Sequence, residues 1–303
     1  MKLHLTEENV LATLSMPKAI ELVEQAFRQL ADGTAINHPR RRIVLPTGSV
    51  LHYMAGATPD YFGTKVYSTS PKSGAHFEVL LFRASDGVPV ANLEANHLGQ
   101  IRTGAASGVA TKFLARKDAK IAAVIGSGFQ AETQLEAISK VRSFSEVRVW
   151  SRKSDRRAEF ARRCASRFGL NVRATQTARE CVEGADVVVT MTSSREPVLE
   201  SSWLAPGTHI NAAGANWADR RELPPDLILN RGALVTVDAA DVAQLEAGPE
   251  YSSAIELKEI VKDAASGRNP GRTSADQITI FKSQGLGVED IAVAGYIYEQ
   301  FAR

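Results

Sequence analysis

The 303 residues hold two cysteines, Cys164 and Cys181, too few for a disulfide framework, and their spacing matches no metal-ligand or redox motif. Neither sign of charge prevails: 36 Lys and Arg stand against 34 Asp and Glu, a formal charge of +2. That balance argues against a nucleic-acid specialist and against a membrane-surface binder. Nowhere do ~18 apolar residues run together to span a bilayer. The N-terminus, Met1 to Glu8, turns acidic before any apolar stretch of signal-peptide length. Repeats and low-complexity segments are also missing. Apolar residues, by contrast, are plentiful: 44% of the chain is hydrophobic and 23% charged, which allows a large core and excludes disorder. The length suits about two domains of ~150 residues. The expectation is a soluble, cytoplasmic protein of two domains.

Met16 to Gly33 reads as an amphipathic helix, with Pro17 near its start, Ile20, Val23, Phe27 and Leu30 at helical spacing and Gly33 as a stop. From Arg41 to about Asn92, short apolar runs such as Arg42–Leu45, Gly63–Tyr67 and Phe77–Phe82 alternate with turn residues, the pattern of an antiparallel sheet. Arg102 to Thr111 looks like a helix of small residues, with Gly104 and Gly108 on one face. Either close helix packing or a ligand lying on that bare face accounts for it. From Lys120 the rhythm changes. Ile121–Ile125, Val147–Trp150 and Ala185–Thr190 read as strands separated by helices to about Lys140 and over Asp155–Phe168, which implies a parallel sheet with right-handed crossovers. Thr208–Asn211 and Ala233–Val237 extend it. Val288 to Phe301 is amphipathic again and is expected to return to the first domain. The expected division is therefore 1–114 with 287–303, a discontinuous α+β domain, and 115–286, an α/β domain.

Gly126-Ser127-Gly128-Phe129-Gln130-Ala131 fits G-x-G-x-x-G/A. The pattern is weak alone, but here it follows an apolar strand, opens a helix and precedes a second strand by about 20 residues. The first glycine makes the tight turn, the second lets backbone approach a pyrophosphate, and Ala131 permits close helix–strand packing. The helix start offers N–H groups to the phosphates. An NAD enzyme usually places Asp or Glu at the end of the second strand for the ribose 2′-hydroxyl. In Trp150-Ser151-Arg152-Lys153-Ser154-Asp155-Arg156 no acid stands at the expected place by the strand end. Ser151 and Arg152 suit a 2′-phosphate instead, which favours NADPH, with NADH also possible.

Basic residues gather in the front half: Arg40, Arg41 and Arg42 after Pro39, Lys65 inside an apolar run, and Arg102 before the small-residue helix. A charge such as Lys65 in an apolar strand is costly unless paired, and a bound carboxylate would pair it.

Several blocks together resemble the ornithine cyclodeaminase/mu-crystallin family. They are Gly63–Val66, Gly99–Ser107, Ile125–Ala131, Ile210–Asn216 with Arg221-Glu222-Leu223, and Phe281–Gly287 with Glu289-Asp290. They run in family order from about residue 38 to 295. The resemblance implies a homodimer in which one domain binds substrate and forms the dimer while a Rossmann domain presents the nicotinamide to it across a cleft. It implies that Arg41, Lys65 and Arg102 hold the substrate, and it alone adds Ser283 and Gln284 to the site. The cofactor candidates are Thr103, Gly126, Gly128, Phe129, Gln130, Ser151, Arg152, Arg156, Thr192, Ser193 and Ser283. No metal is expected.

At Asn216, cyclodeaminases of the family resemble Gly-Gly-Asp or Gly-Ala-Asp, whose aspartate handles the proton and water chemistry. An amide cannot be a general base at neutral pH but can hydrogen-bond an imine nitrogen, a carboxylate or water. Mu-crystallin-like ketimine reductases also lack the acid. The leading expectation is an NADPH-dependent reductase of a small cyclic ketimine carboxylate. Δ1-Pyrroline-2-carboxylate would give proline and Δ1-piperideine-2-carboxylate would give pipecolate. Lys65, Asn216 and His52 are the catalytic candidates. His52 is an alternative to solvent as proton donor, because imidazole titrates near neutral pH. The protein's main contribution would be orientation, bringing donor and acceptor carbons to ~3–3.5 Å. The rival readings are an alanine dehydrogenase, an ornithine cyclodeaminase, and a protein that binds NADPH and a small ligand without turnover.

Overall fold

A computed structural model describes residues 2–217, 219–230, 232–265, 267 and 271–302. The chain divides into two compact units, Met1–Arg102 with Gly285–Arg303, and Thr103–Gln284.

The first unit opens with β1 (Leu3–Leu5), then α1 (Glu7–Thr13) and α2 (Met16–Ala31). Thr6 and Asn9 form a reciprocal capping box on α1, and the Ser15 side chain accepts from Lys18 N–H at the start of α2. Met16, Ile20, Val23 and Phe27 form the buried stripe of α2. Six strands follow: β2 (Ile36–Asn37), β3 (Arg41–Val44), β4 (Val50–Ala57), β5 (Tyr61–Ser70), β6 (Gly74–Arg83) and β7 (Pro89–Glu94). Among the described residues they form a seven-stranded sheet in the order β1-β7-β6-β5-β4-β2, with β3 also on β4. All pairs are antiparallel except β1 with β7.

Along β4 the residues alternate, so Val50, His52 and Met54 face inward while Leu51 and Tyr53 face outward. The sequence alternation thus reads correctly as an antiparallel sheet. It does not show the edge strand β1, whose three residues are too short to carry a periodicity.

Helix α3 (Asn96–Leu114) contains the division between the units, which falls at Arg102/Thr103 rather than at 114/115. The second unit then runs β8 (Ile121–Ile125), α4 (Phe129–Val141), β9 (Glu146–Trp150), α5 (Ser154–Phe168), β10 (Val172–Ala174), α6 (Ala178–Val182), β11 (Val187–Thr190), β12 (His209–Ala212), α7 (Pro225–Ile228), β13 (Leu234–Val237), α8 (Ala240–Glu246), β14 (Ile255–Glu256), α9 (Leu257–Ala265) and β15 (Thr279–Lys282). These strands pair in parallel in the order β10-β9-β8-β11-β12-β15-β13-β14. Strands buried on both faces read as continuous apolar runs because helices cover each side. Ala123, Ile125, Val188 and Ile210 enter one core with Cys181, while Ala122, Val124, Val187 and Val189 enter the other with Cys164. The two free cysteines therefore belong to separate cores.

Gly104 packs against α4: a Cβ there would stand 2.4 Å from the Thr133 carbonyl oxygen. Close helix packing is therefore the reason for the small residue at this position. The last helix, α10 (Gly287–Phe301), belongs to the first unit and lies on β4, β5 and α2. A Cβ at Gly56 in β4 would stand 2.4 Å from the Val288 nitrogen, so the helix backbone rests directly on the strand. Among the described residues no helix is long and apolar enough to cross a membrane.

Candidate active site

In the second unit the turn after β8 opens α4. Gly126 has φ +121°, a conformation that an L side chain rarely adopts, and a Cβ there would lie 2.2 Å from the Met191 carbonyl oxygen. Gly126 N–H donates to Trp150 O at 2.9 Å and Met191 N–H donates to Ile125 O at 2.8 Å, which ties the turn to the ends of β9 and β11. A Cβ on Gly128 would meet no protein atom within 4 Å. It would project into open space instead, the room that a pyrophosphate needs. Gly128 caps α4 with no side-chain bond, and Ala131 is fully buried. These features fit a dinucleotide.

Gly126, Gly128, Phe129 and Gln130 line a cavity of about 1070 Å³ with Ser151, Arg152, Arg156, Thr192 and Ser193. Nine of the expected cofactor residues thus meet in one place. Thr103 and Ser283 do not line it. The Thr103 carbonyl accepts from Gln134 Nε2 at 3.1 Å, and Ser283 N–H donates to Ala212 O at 3.0 Å. Sequence reasoning missed Ser127, an unspecified position inside the glycine motif, and Trp150, Lys153, Trp203 and Pro224, which come from strand ends and loops without a motif. Ser127 Oγ lies 2.8 Å from Ser151 Oγ, and Arg157 donates to Ser151 O at 3.0 Å, so the loop after β9 is held in place. Arg152, Lys153 and Arg156 are exposed, and none has an acidic partner among the described residues.

In the first unit, Lys65 and Arg102 are both buried. Their counter-charges come from α10: Lys65 Nζ donates to Asp290 Oδ1 at 2.8 Å, Arg102 Nε to the same oxygen at 2.9 Å, and Arg102 Nη1 to Glu289 Oε2 at 2.9 Å. The carboxylate expected from a bound anion is thus supplied by the protein, and the remaining N–H groups of the Lys65 ammonium and the Arg102 guanidinium are left for a ligand. Burial, reinforced by Arg102 and opposed by Asp290, pushes the Lys65 ammonium down to about 7.

Two expected residues stand elsewhere. Arg41 is exposed, opposite the outward Tyr53, whereas Arg40 is 6% exposed with Nε 3.4 Å from Met54 Sδ. Strand alternation explains the correction: residues 40 and 42 share the face of His52 and Met54, and residue 41 points away. His52 is buried, stacks on Tyr67 at 4.2 Å between ring centroids and lies 3.2 Å from Thr69 Oγ1. Burial, then Arg42 and Arg40, lowers its imidazole to about 4. At neutral pH it is uncharged and cannot donate the imidazolium proton for which it was singled out. Its place is in a cross-strand ring ladder with Tyr67 and Phe77.

Asn216, half-buried, follows β12 in the loop Ala213–Asn216. Gln284 is buried, and its N–H donates to Asp238. Among the described residues no group of three or more His, Cys, Asp or Glu is placed to hold a metal ion.

Residues 1–303 match the profile of the ornithine cyclodeaminase/mu-crystallin family. The chain belongs to this family. One relative is the alanine dehydrogenase of Archaeoglobus fulgidus, 33% identical over 310 residues, covering 97% of this chain and 94% of that one. The ketimine reductase mu-crystallin of Rattus norvegicus is 35% identical over 224 residues, covering 74% and 69%. A solved structure of the Δ1-pyrroline-2-carboxylate reductase of Thermococcus litoralis, in complex with NADH and L-proline, is 34% identical. It superposes with a TM-score of 0.91 over 99% of this chain and 97% of that one. The α/β fold is the family's, and these relatives are oxidoreductases by name.

Proposed function

We propose that this family member is an NADPH-dependent reductase of a small cyclic ketimine bearing a carboxylate, giving proline from Δ1-pyrroline-2-carboxylate or pipecolate from the six-membered homologue. The observation that carries the reading is Lys65, a buried ammonium held against Asp290 and able to give up a proton near neutral pH. Protonation of the imine nitrogen makes the adjacent carbon electrophilic, and Lys65 is the donor in place of His52. Arg102, with Arg40 taking the part first given to Arg41, attracts the substrate carboxylate. Asn216 carries an amide where a deaminase needs a carboxylate and so supplies no base, in keeping with reduction rather than deamination.

The reduced nicotinamide, when bound, supplies the hydride. The glycine turn lies between β9 and β11, at the point where strand order reverses, so the adenosine half belongs over β9 and the other half over β11. Arg152 and Arg156 would hold a 2′-phosphate there. The relative from Thermococcus litoralis was solved with NADH, and in this chain the basic loop without an acid favours NADPH.

A homodimer is part of the proposal. α10, with α2 packed on it, lies on one face of the first unit's sheet, while on the other Ile43, Leu51, Tyr53 and Phe62 remain 52%, 38%, 40% and 38% exposed. An archaeal alanine dehydrogenase 33% identical to this chain was solved as a dimer with bound NAD.

The decisive assay offers the cyclic imine with NADPH or NADH and follows nicotinamide absorbance, with parallel arms containing ornithine and containing pyruvate with ammonia. Rapid NADPH oxidation by the imine is expected. Ammonia release from ornithine without net redox change would replace the reading with a cyclodeaminase. Faster turnover of pyruvate with ammonia would point to an open-chain amino acid. Binding without turnover in any arm would make it a ligand-binding protein.

A further inference from the structure

The Arg221-Glu222-Leu223 and Phe281-Lys282-Ser283 blocks take no part in the chemistry so far. Glu222 and Lys282 are buried at 3% and 5% exposure, where an ionised group is costly unless fully bonded. Glu222 meets that demand with four donors. Oε1 accepts from Thr192 N–H at 2.7 Å and from the Thr192 hydroxyl at 2.9 Å. Oε2 accepts from Gly214 N–H at 2.8 Å and Ala215 N–H at 3.2 Å. Thr192 follows β11 and lines the cofactor cavity, and Gly214 and Ala215 follow β12 and lead into Asn216. One carboxylate therefore joins the loops at the ends of two adjacent parallel strands. Lys282 Nζ donates to the carbonyl of Ala215 and lies 3.5 Å from that of Ala212. The two loops also touch directly: a Cβ at Gly214 would fall 2.2 Å from Thr192 N and 2.4 Å from Thr192 O.

We infer that Glu222, backed by Lys282, is a positioning residue that locks the Thr192 and Gly214–Asn216 loops into one rigid floor for the nicotinamide half of the cofactor. The inference rests on the dinucleotide reading above. It separates the halves of the cofactor, because the loop after β9 is held by Ser127 and Arg157 with no contribution from Glu222. Gln at 222 keeps the shape but brings an NH2 group against backbone donors and can accept at one oxygen only.

The test is titration calorimetry of the full chain with NADPH and with 2′-phospho-ADP-ribose, which lacks the nicotinamide. The proteins compared are wild type, Glu222→Gln and Glu222→Asp, with melting temperatures recorded alongside. Glu222→Gln is expected to weaken NADPH by about tenfold or more while leaving the fragment within about twofold, and Glu222→Asp to recover part of the loss. Equal weakening of both ligands, or of neither, overturns the inference. Failure of the wild type to bind either ligand would instead overturn the dinucleotide reading. Should Glu222→Gln not fold, Thr192→Val removes one of the four donors and is expected to show the same selective loss at smaller size; an unchanged NADPH affinity there also overturns it.

Discussion

Arg40 and Arg41 differ by one position and by everything that burial controls. Arg40 is enclosed beside Met54 with its charge felt by Lys65, while Arg41 extends from the outer face. Arg41→Ala is expected to leave kcat/KM for the imine within about twofold, and Arg40→Ala to lower it by about tenfold or more; steady-state kinetics on the two variants checks this. For Lys65, the ammonium form is the proposed donor, and it is lost as pH rises through about 7. The rate of imine reduction should therefore fall on the alkaline side of that value, and Lys65→Met should cut kcat by ~10²–10⁴ and abolish the limb in a pH–rate profile. In the proposed cofactor site, Arg152 is exposed on the cavity wall. Arg152→Ala is expected to raise the KM for NADPH by about tenfold and to leave that for NADH nearly unchanged. Equal effects on both would remove the case for a 2′-phosphate.

Among the elements of the second unit, β12, β15 and α3 are tied together by polar side chains rather than by apolar packing alone. His209 Nδ1 lies 2.9 Å from Thr279 Oγ1, its Nε2 3.3 Å from Asn211 Oδ1, and Asn211 Nδ2 donates to Thr111 Oγ1 at 2.9 Å. Burial, then the charge of Arg272, lowers the His209 imidazole from 6.5 to about 3. The folded pKa is depressed, so below pH 6.5 the unfolded chain takes up a proton that the folded one refuses. Stability is expected to fall from pH 6.5 toward 3 with a slope approaching ~1.4 kcal/mol per pH unit for this group. Urea unfolding at several pH values measures the slope, and His209→Gln should flatten it.

At the scale of the whole molecule, the outward sheet face of the first unit carries the expectation about assembly. Its apolar residues come from three strands, and a charge placed among them should oppose burial against a second copy. Tyr53→Glu is expected to halve the mass seen in sedimentation equilibrium if the protein is a homodimer through this face, while each unit stays folded by circular dichroism.

Much of the α/β architecture was legible because a parallel sheet covered on both faces writes itself as unbroken apolar runs, such as Ile121–Ile125, spaced by helices. The glycine turn was legible for the same local reason: a positive φ at Gly126 and a bare Gly128 are demands of one short loop. β15 was not, since Thr279–Lys282 carries a polar residue at each end, and only its insertion between β12 and β13 makes it a central strand. The apolar run around Lys65 likewise showed that its charge needed a partner, but not that Asp290 and Glu289 supply the counter-charges for it and for Arg102. Those acids lie more than 180 residues away in sequence, and α10 brings them beside the strand only after folding back on it. The amino-acid order by itself determined which local conformations and which chemical groups the chain possesses. Tertiary structure alone decided which groups lose water together, and through that which arginine turns inward, which imidazole stays neutral and which lysine can release its proton.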